Sequence, residues 1–342
     1  LIMDCLMSGV NWKTRQKERI LLPRIADLIY DVLGLLQGCS GEEQIHFLVL
    51  DFVDAFFRVP LSPDERQYFV IKYGDQFLRW NRIAQGSVNG PQLFGRLAAL
   101  IGRLTQSALD DGRSRLHIYL DDPIIAMRGD RKEVEKEVTL AVLIWRCMNV
   151  DLAFLKGQFG DAVTWIGHDI SIDMKKLSIT AAIKQAFLED LLAEVLSIGK
   201  KNKIKRKELR SFTGKANHVA ALIWTWKPFL DELWAGADST HRSNAGKGLI
   251  WTKQVTGSLK WLALFLTCQA GEISRTWSVA SHLAAATLVT IVFDASPWGL
   301  GAVLYIDGAP YRYLMDAITH HDEQRYRHHS GDHRGQQVWE AL

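Results

Sequence analysis

Two adjacent aspartates, Asp121 and Asp122, stand between two short apolar segments, and this arrangement constrains the fold more than any other feature of the sequence. Residues 115–120 and 124–127 have the length and the aliphatic, β-branched composition of strands. Two strands joined through two acids predict a hairpin that carries carboxylates at its tip.

A third acid, Asp51, follows the apolar residues 46–50 and predicts the end of a buried strand. Two divalent ions held by acidic side chains can activate a 3′ hydroxyl and neutralise a triphosphate. Mg²⁺ prefers hard oxygen ligands and keeps positions for substrate phosphate when few carboxylates hold it. Asp51 with Asp121 and Asp122 therefore fits a metal-dependent polymerase site, whereas a single aspartate at a strand end is usually a turn or cap residue.

The remaining segments predict an α+β fold. Gly74 and Asp75 separate two apolar segments and predict a hairpin. A stretch rich in small and polar residues, 236–248, predicts a domain boundary. Apolar residues at helical spacing predict four helices, over residues 91–107, 131–148, 180–196 and 206–223.

The length of 342 residues favours two or three packed units. The net charge of +3 does not by itself indicate a nucleic-acid partner. A dense basic run could neutralise backbone phosphates, or it could be a solvated surface segment. The basic residues of this run are Lys200, Lys201, Lys203, Lys205, Arg206 and Lys207.

The four cysteines have no metal-type spacing, which favours a reduced, intracellular compartment in the cytoplasm or nucleus. No apolar stretch reaches the roughly 20 residues of a membrane span, so no membrane partner is expected. The chain begins at Leu1 without a signal peptide or an initiator Met, and we expect it to be part of something longer.

Five segments stand in the order of known polymerase motifs. Residues 50–61 resemble the first palm motif of retroviral and retrotransposon reverse transcriptases, residues 85–91 the second, and residues 119–122 their Tyr-x-Asp-Asp box. Residues 155–157 and 165–168 are similar to the two motifs that follow. The resemblance implies a right-hand palm with partial fingers and a helical thumb, which adds deoxynucleotides to a primer on an RNA or DNA template.

The resemblance also implies roles for single residues. Asp51, Asp121 and Asp122 would be the catalytic acids that bind two Mg²⁺ ions, with Mn²⁺ as an alternative and the Phe52 carbonyl as a further ligand. The segment around Asp54 would meet the deoxynucleoside triphosphate. The residues implied to bind this nucleotide are Phe52, Val53, Asp54, Ala55, Phe56, Gln85 and Lys156.

Three of these residues have specific implied roles. Phe56 would be a steric gate that leaves no room for a 2′ hydroxyl, unless it is a core residue beside Phe57. Gln85 would contact the incoming nucleotide. Lys156 would neutralise or protonate the leaving pyrophosphate, unless it is an ordinary surface lysine.

The segments outside the palm resemble further parts of the family. Residues 1–11 resemble a fingers motif that ends in an Asn, and Lys13 or Arg15 could replace the base that precedes this motif in the family. Residues 200–217 resemble the thumb, which would contact the phosphates of the template–primer duplex independently of sequence.

Residues 293–304 resemble the first strand pair of a retroelement ribonuclease H domain. Asp294 would be its first metal ligand, and Glu340 would be its second acid or an ordinary helix-start acid. The remaining acids would lie beyond Leu342, so we expect no ribonuclease H activity from this chain. The expected domains are partial fingers and palm (1–175), thumb (176–235), connection (236–287) and a truncated ribonuclease H-like module (288–342).

Pro123 departs from the pattern, because proline removes a ladder donor where the second hairpin strand should start. It is either accommodated there or the mark of a decayed element. Two alternatives to a working reverse transcriptase therefore remain: an inactive relative that only binds nucleic acid, and an RNA-dependent RNA polymerase. Phe56 and Asp294 argue against the second alternative. The sequence does not indicate an oligomeric state.

Overall fold

The computed structural model describes residues 5, 9–14, 20–238, 245–269, 273–282, 288–332 and 338. The chain divides into two compact units, residues 1–282 and residues 283–342. Both mix helices with antiparallel sheets, in agreement with the predicted α+β class.

The described residues form fifteen strands and ten α-helices. The strands are β1 (Gln44–Val49), β2 (Val70–Tyr73), β3 (Gln76–Arg79), β4 (Ser114–Tyr119), β5 (Asp122–Gly129), β6 (Gln158–Gly160), β7 (Ala162–Trp165), β8 (His168–Asp173), β9 (Ser178–Ile183), β10 (Lys203–Lys205), β11 (Leu249–Trp251), β12 (Ser274–Ser278), β13 (Val289–Ala295), β14 (Gly299–Ile306) and β15 (Ala309–Ala317). The helices are α1 (Val10–Lys13), α2 (Ile25–Gln37), α3 (Gly90–Gln106), α4 (Arg131–Cys147), α5 (Gln185–Gly199), α6 (Arg206–Ala220), α7 (Lys227–Asp238), α8 (Thr256–Leu266), α9 (Val279–His282) and α10 (His320–Tyr326).

The central sheet has the strand order β4-β5-β1-β6 and is antiparallel. Side chains of successive residues point to opposite faces of a strand. Leu116 and Ile118 of β4 pack with α3 and α4 in one apolar core. His117, between them, points the other way and lies 2.9 Å from Asp31 of α2. The sheet is therefore covered by helices on both faces, which explains why β5 is almost entirely buried.

Several predicted elements are confirmed. The acid-tipped hairpin is formed by β4 and β5, and the hairpin around Gly74 by β2 and β3. Helices α3, α4 and α6 agree closely with the predicted helices 91–107, 131–148 and 206–223.

The helix predicted from residue 180 is wrong at its start. Residues Ser178–Ile183 form β9, which pairs with β8 on one side and β12 on the other. The alternation of buried and less buried residues along this strand is that of a sheet, and helix α5 begins only at Gln185.

The boundary predicted within residues 236–248 falls inside the first unit and stays a prediction. Strand β11, which follows that stretch, pairs with β10 and so returns the chain to the segment before α6. The first unit consequently continues to His282. The second unit contains the sheet β13-β14-β15 and α10.

Candidate active site

Backbone hydrogen bonds lock the end of β1 to the tip of the β4–β5 hairpin. The amide of Phe52 donates to the carbonyl of Asp121 at 2.9 Å, and the amide of Ala153 donates to the carbonyl of Asp51 at 2.9 Å. Asp51 is thus held between the hairpin tip and the segment that leads to Lys156. The three predicted acids come together because the strand register requires it.

The turn of the hairpin is strained at Leu120. Tyr119 and Asp122 pair across the two strands, so Leu120 and Asp121 form the two-residue turn between them. Leu120 has a φ of 54°, in the left-handed region that non-glycine residues seldom adopt. Such conformations persist where the surrounding structure enforces them, and they are common at functional sites.

Pro123 is accommodated at the start of β5. It pairs with Ile118 of β4, and on the other side its carbonyl accepts a hydrogen bond from the amide of Leu50 at 3.2 Å. Because β1 ends at Val49, the N–H that proline lacks would fall at the end of the ladder. The proline therefore leaves the hairpin intact.

The electrostatics of the hairpin tip are those of crowded acids. Burial, together with the negative charges of Asp121 and Asp51, raises the pKa of the Asp122 carboxyl to about 6. Burial and the charge of Asp51 also raise the pKa of Asp121. Like charges raise one another's pKa only when they are close, so the three carboxylates belong to one site.

Lys156 compensates part of this negative charge. Its ammonium nitrogen lies 2.9 Å from Oδ2 of Asp51, and this contact raises the pKa of Lys156. Its charge also lowers the pKa values of Asp121 and Asp122. Asp51, Asp122 and Lys156 line one cavity of about 250 Å³ together with the β7–β8 hairpin residues Trp165 and Ile166.

Trp165 supports the hairpin tip through a hydrogen bond to its backbone. Its buried indole N–H donates to the carbonyl of Asp122 at 3.0 Å. The sequence singled out Trp165 only as part of a motif, and the hydrogen bond to Asp122 could not be anticipated from it.

The predicted nucleotide-binding segment continues directly from Asp51. Phe52 is buried against Trp145, Ala55 is buried, and Val53 and Asp54 are exposed. Asp54 has a φ of 54° and precedes a 3₁₀ helix, Ala55–Arg58.

Phe56 is partly buried and belongs to the core as well as to this segment. Its ring centroid lies 5.5 Å from that of Phe94. A Cβ at Gly90 would lie 3.5 Å from the Phe56 ring and 3.3 Å from Ile83, so glycine allows the close packing there.

Asn11 joins the N-terminal segment to the segment that contains Gln85, a contact that the sequence did not reveal. Its side-chain amide donates to the carbonyl of Gly86 at 2.9 Å, and its side-chain oxygen accepts from the amide of Val88 at 3.0 Å. Gln85, exposed and next to Gly86, is thus held by the end of the fingers motif. Lys13 is exposed, and Arg15 lies outside the described residues.

The basic run is divided between internal contacts and the surface. Lys201 pairs with Glu208, and Lys203 lies over the ring of Trp251 at 4.2 Å. Arg206 is half-buried at the start of α6. Lys200, Lys205 and Lys207 are exposed and form no ion pair with any residue that the structure describes.

In the second unit, Asp294 lies near the end of β13 and pairs with Gly301 of β14. Its carboxylate is exposed at a cavity of about 660 Å³. Glu340, predicted as the second acid, lies outside the described residues.

Carboxylate oxygens at the hairpin tip are the ligand type that Mg²⁺ prefers. Among the described residues, however, no group of three or more His, Cys, Asp or Glu side chains stands close enough to hold an ion by itself. Mg²⁺ is commonly held by one or two carboxylates completed by substrate phosphates, and Asp51 and Asp122 at one cavity fit that pattern.

Comparison with protein families agrees with the motifs. Residues 6–170 match the family model described as reverse transcriptase (RNA-dependent DNA polymerase). The chain is 36% identical over 250 residues to the Gag-Pol polyprotein of avian reticuloendotheliosis virus, which covers 70% of the chain and 19% of the polyprotein. It is 35% identical over 103 residues to the Pol polyprotein of feline endogenous virus ECE1, covering 28% of the chain and 9% of that protein. The chain thus spans about one fifth or less of these relatives.

Two solved structures share the fold. Both are foamy viral protease–reverse transcriptases in complex with double-stranded DNA, with TM-scores of 0.54 and 0.52 and sequence identities of 16% and 17%. The similarity covers 93% of this chain in each case, and 49% and 58% of the foamy viral chains. Across the described residues, none of the helices combines the length and apolarity needed to cross a membrane.

Proposed function

We propose that this chain, which belongs through residues 6–170 to the retroelement reverse transcriptases, is an RNA-directed DNA polymerase. In this role it extends a primer 3′ hydroxyl with deoxynucleotides. The observation that carries the proposal is the meeting of Asp51, Asp121 and Asp122 at one hairpin tip, with Lys156 on Asp51.

The acids would hold the metal. Two Mg²⁺ ions, or Mn²⁺, would activate the primer hydroxyl and neutralise the triphosphate when bound. Asp51, Asp121 and Asp122 would supply carboxylate ligands, and the Phe52 carbonyl one more. The ion pair with Lys156 would have to open for Asp51 to serve in this way, since one of its oxygens is engaged.

Lys156 would then act on the leaving group. Its side chain is largely exposed on the short 3₁₀ helix Phe154–Lys156, so it can turn from Asp51 toward a bound triphosphate. Its ammonium would donate a proton to the pyrophosphate oxygen as the bond to the α-phosphorus breaks. The Val53–Asp54 backbone, Ala55 and Gln85 would position the nucleotide, and Phe56 would exclude its 2′ hydroxyl.

A template–primer duplex is the proposed partner. Lys200, Lys205 and Lys207 are exposed and available for phosphate contacts, with Lys201, Lys203 and Arg206 in the same run. Contacts of this kind are independent of sequence and weaken with salt. The second unit, with Asp294 and Glu340, is proposed to be a ribonuclease H-like module.

Primer extension separates this proposal from its alternatives. The chain would be supplied with a primer on an RNA or a DNA template, Mg²⁺ or Mn²⁺, and either deoxynucleotides or ribonucleotides. We expect extension on both templates, with deoxynucleotides used at least about 100-fold more efficiently. Tight duplex binding without any extension would favour the inactive relative, and equal use of ribonucleotides would favour an RNA polymerase.

A further inference from the structure

A stripe of four leucines, three of them exposed, runs along α3. Leu93, Leu97, Leu100 and Leu104 follow one another at spacings of four, three and four residues, which is the seven-residue repeat of helix-pairing seams. Leu93, Leu100 and Leu104 are 41%, 47% and 49% exposed. The opposite face of α3 is buried in the core, and Leu97 is partly buried against that core. The other three leucines of the stripe stay exposed.

The stripe forms one wall of a groove. Leu97, Leu100 and Leu104 line a cavity of about 400 Å³, together with Met148 and Val150 from the segment after α4. A concave apolar surface with anchors at heptad spacing is the form that receives an amphipathic helix. Scattered exposed leucines would need no such explanation, but a continuous stripe beside a cavity does.

The charge of α3 restricts what can bind there. The helix contains two arginines, Arg96 and Arg103, and no acidic residue. Both arginines are exposed, seven residues apart on one side of the leucine stripe. A second copy of α3 would bring arginines against arginines, whereas a helix with acidic flanks would be complementary.

We propose that this groove binds an amphipathic helix of a partner protein that carries an aliphatic heptad stripe flanked by acidic residues. Phe52 and Val53 of the proposed nucleotide-binding segment also line the cavity. The test therefore measures binding without nucleotide or metal, and its outcome is independent of polymerase activity.

Two synthetic helices serve as probes. Each is a fluorescein-labelled peptide of about 21 residues, or three heptads, with leucine at positions a and d. One carries glutamate at e and g and the other lysine, so that like charges keep each probe from associating with itself. Fluorescence anisotropy against the whole chain should show binding of the acidic probe, with the lysine probe at least about tenfold weaker.

Three variants locate the site. Leu100→Asp with Leu104→Asp should weaken the acidic probe at least about tenfold. Leu143→Asp, at a leucine of α4 that is 56% exposed and outside the groove, is the matched control and should leave binding within about twofold. Arg96→Glu with Arg103→Glu should reverse the preference between the probes without changing apolar residues. Circular dichroism checks that each variant is folded.

Other results would overturn the proposal. Equal binding of both probes, or undiminished binding by the double leucine variant, would mean that the groove does not select an acidic helix. Sedimentation velocity supplies a further check. A dimer of the chain that the double leucine variant dissociates would identify a second copy, rather than a partner helix, as the occupant.

Discussion

The ammonium nitrogen of Lys156 lies 2.9 Å from Oδ2 of Asp51, although the two residues are 105 positions apart in the sequence. Their backbones are joined as well, since the amide of Ala153 donates to the carbonyl of Asp51. The fold therefore places this lysine in the acidic site. It offsets one of three negative charges that would otherwise repel one another.

Replacing Lys156 by Met should move the acid side of the pH–rate profile. The lysine lowers the pKa values of Asp121 and Asp122, so its removal should raise both and shift the loss of activity to higher pH. We also expect kcat to fall about 100-fold, because the proton donor is lost. Lys156→Arg keeps the charge and should keep the position of the acid limb. If the acid limb of the pH–rate profile stays unchanged in the Met variant, Lys156 does not act on the carboxylates of the site.

Asp122 should make the stability of the chain depend on pH. Its folded-state pKa of about 6 lies above its ordinary value of 3.8, so its favourable contribution is present below about pH 4 and is lost as the pH rises through 6. Asp122→Asn should abolish this loss. Without metal, the advantage of the variant in free energy of unfolding should grow by about 1 kcal/mol from pH 4 to pH 7, a value reduced for partial exposure. Urea unfolding at both pH values measures it.

Asp75→Asn, in the exposed turn between β2 and β3, is the control for this prediction. The change in free energy of unfolding between the two pH values should be larger for Asp122→Asn than for this control. Equal changes for the two variants would show that Asp122 is not shifted in the folded chain.

Substitution of Phe56 by Ala distinguishes a steric gate from a core residue. We expect the efficiency of ribonucleotide use relative to deoxynucleotide use to rise at least about tenfold, because space opens for the 2′ hydroxyl. Phe57→Ala is the matched control, since Phe57 stacks on Trp80 at 5.5 Å in the same segment. Both variants should lose stability, but only Phe56→Ala should change discrimination. Lost stability with unchanged discrimination would leave Phe56 as a core residue only.

Trp165→Phe removes the indole donor to the Asp122 carbonyl while keeping an aromatic ring. The unpaired buried carbonyl should lower the free energy of unfolding by about 1–2 kcal/mol. Primer extension should fall as well, because the hairpin tip loses a support. Urea unfolding and extension rates measure the two effects, and Trp261→Phe, at a half-exposed indole, is the control expected to be near neutral. Equal effects of both substitutions would contradict a role for Trp165 at the site.

The acid-tipped hairpin could be predicted because its information is local. Two apolar strands and the acids between them lie within Ser114–Gly129, and short apolar segments bounded by turn residues predict buried strands directly from residue type. Asp51 was predicted for the same reason, as the acid after an apolar strand. The pKa of Asp122 could not be predicted, because it depends on burial and on the approach of Asp51 through the β1–β5 register.

Contacts between segments that are distant in the sequence could not be predicted from local sequence patterns. The side-chain amide of Asn11 forms hydrogen bonds with residues 75 and 77 positions away in the sequence. Nothing in the sequence around Asn11 indicates these contacts. The helix predicted over residues 180–196 includes residues 180–183 of β9, because apolar residues of a strand that precedes a helix can continue the helical spacing. Pairing with β8 and β12 decided the outcome. The pairing of β10 with β11, across residues 236–248, is likewise not indicated by any local pattern.

Single-nucleotide extension by the Asp121→Asn variant tests the central claim most directly. The unmodified chain, with Mg²⁺ and a matched deoxynucleotide, should lengthen the primer by one residue, and EDTA should stop it. Asp121→Asn preserves the size of the side chain and should reduce the rate at least about 1,000-fold while duplex affinity stays within about threefold. Extension by the variant at the rate of the unmodified chain would contradict the assignment of Asp51, Asp121 and Asp122 as the catalytic acids.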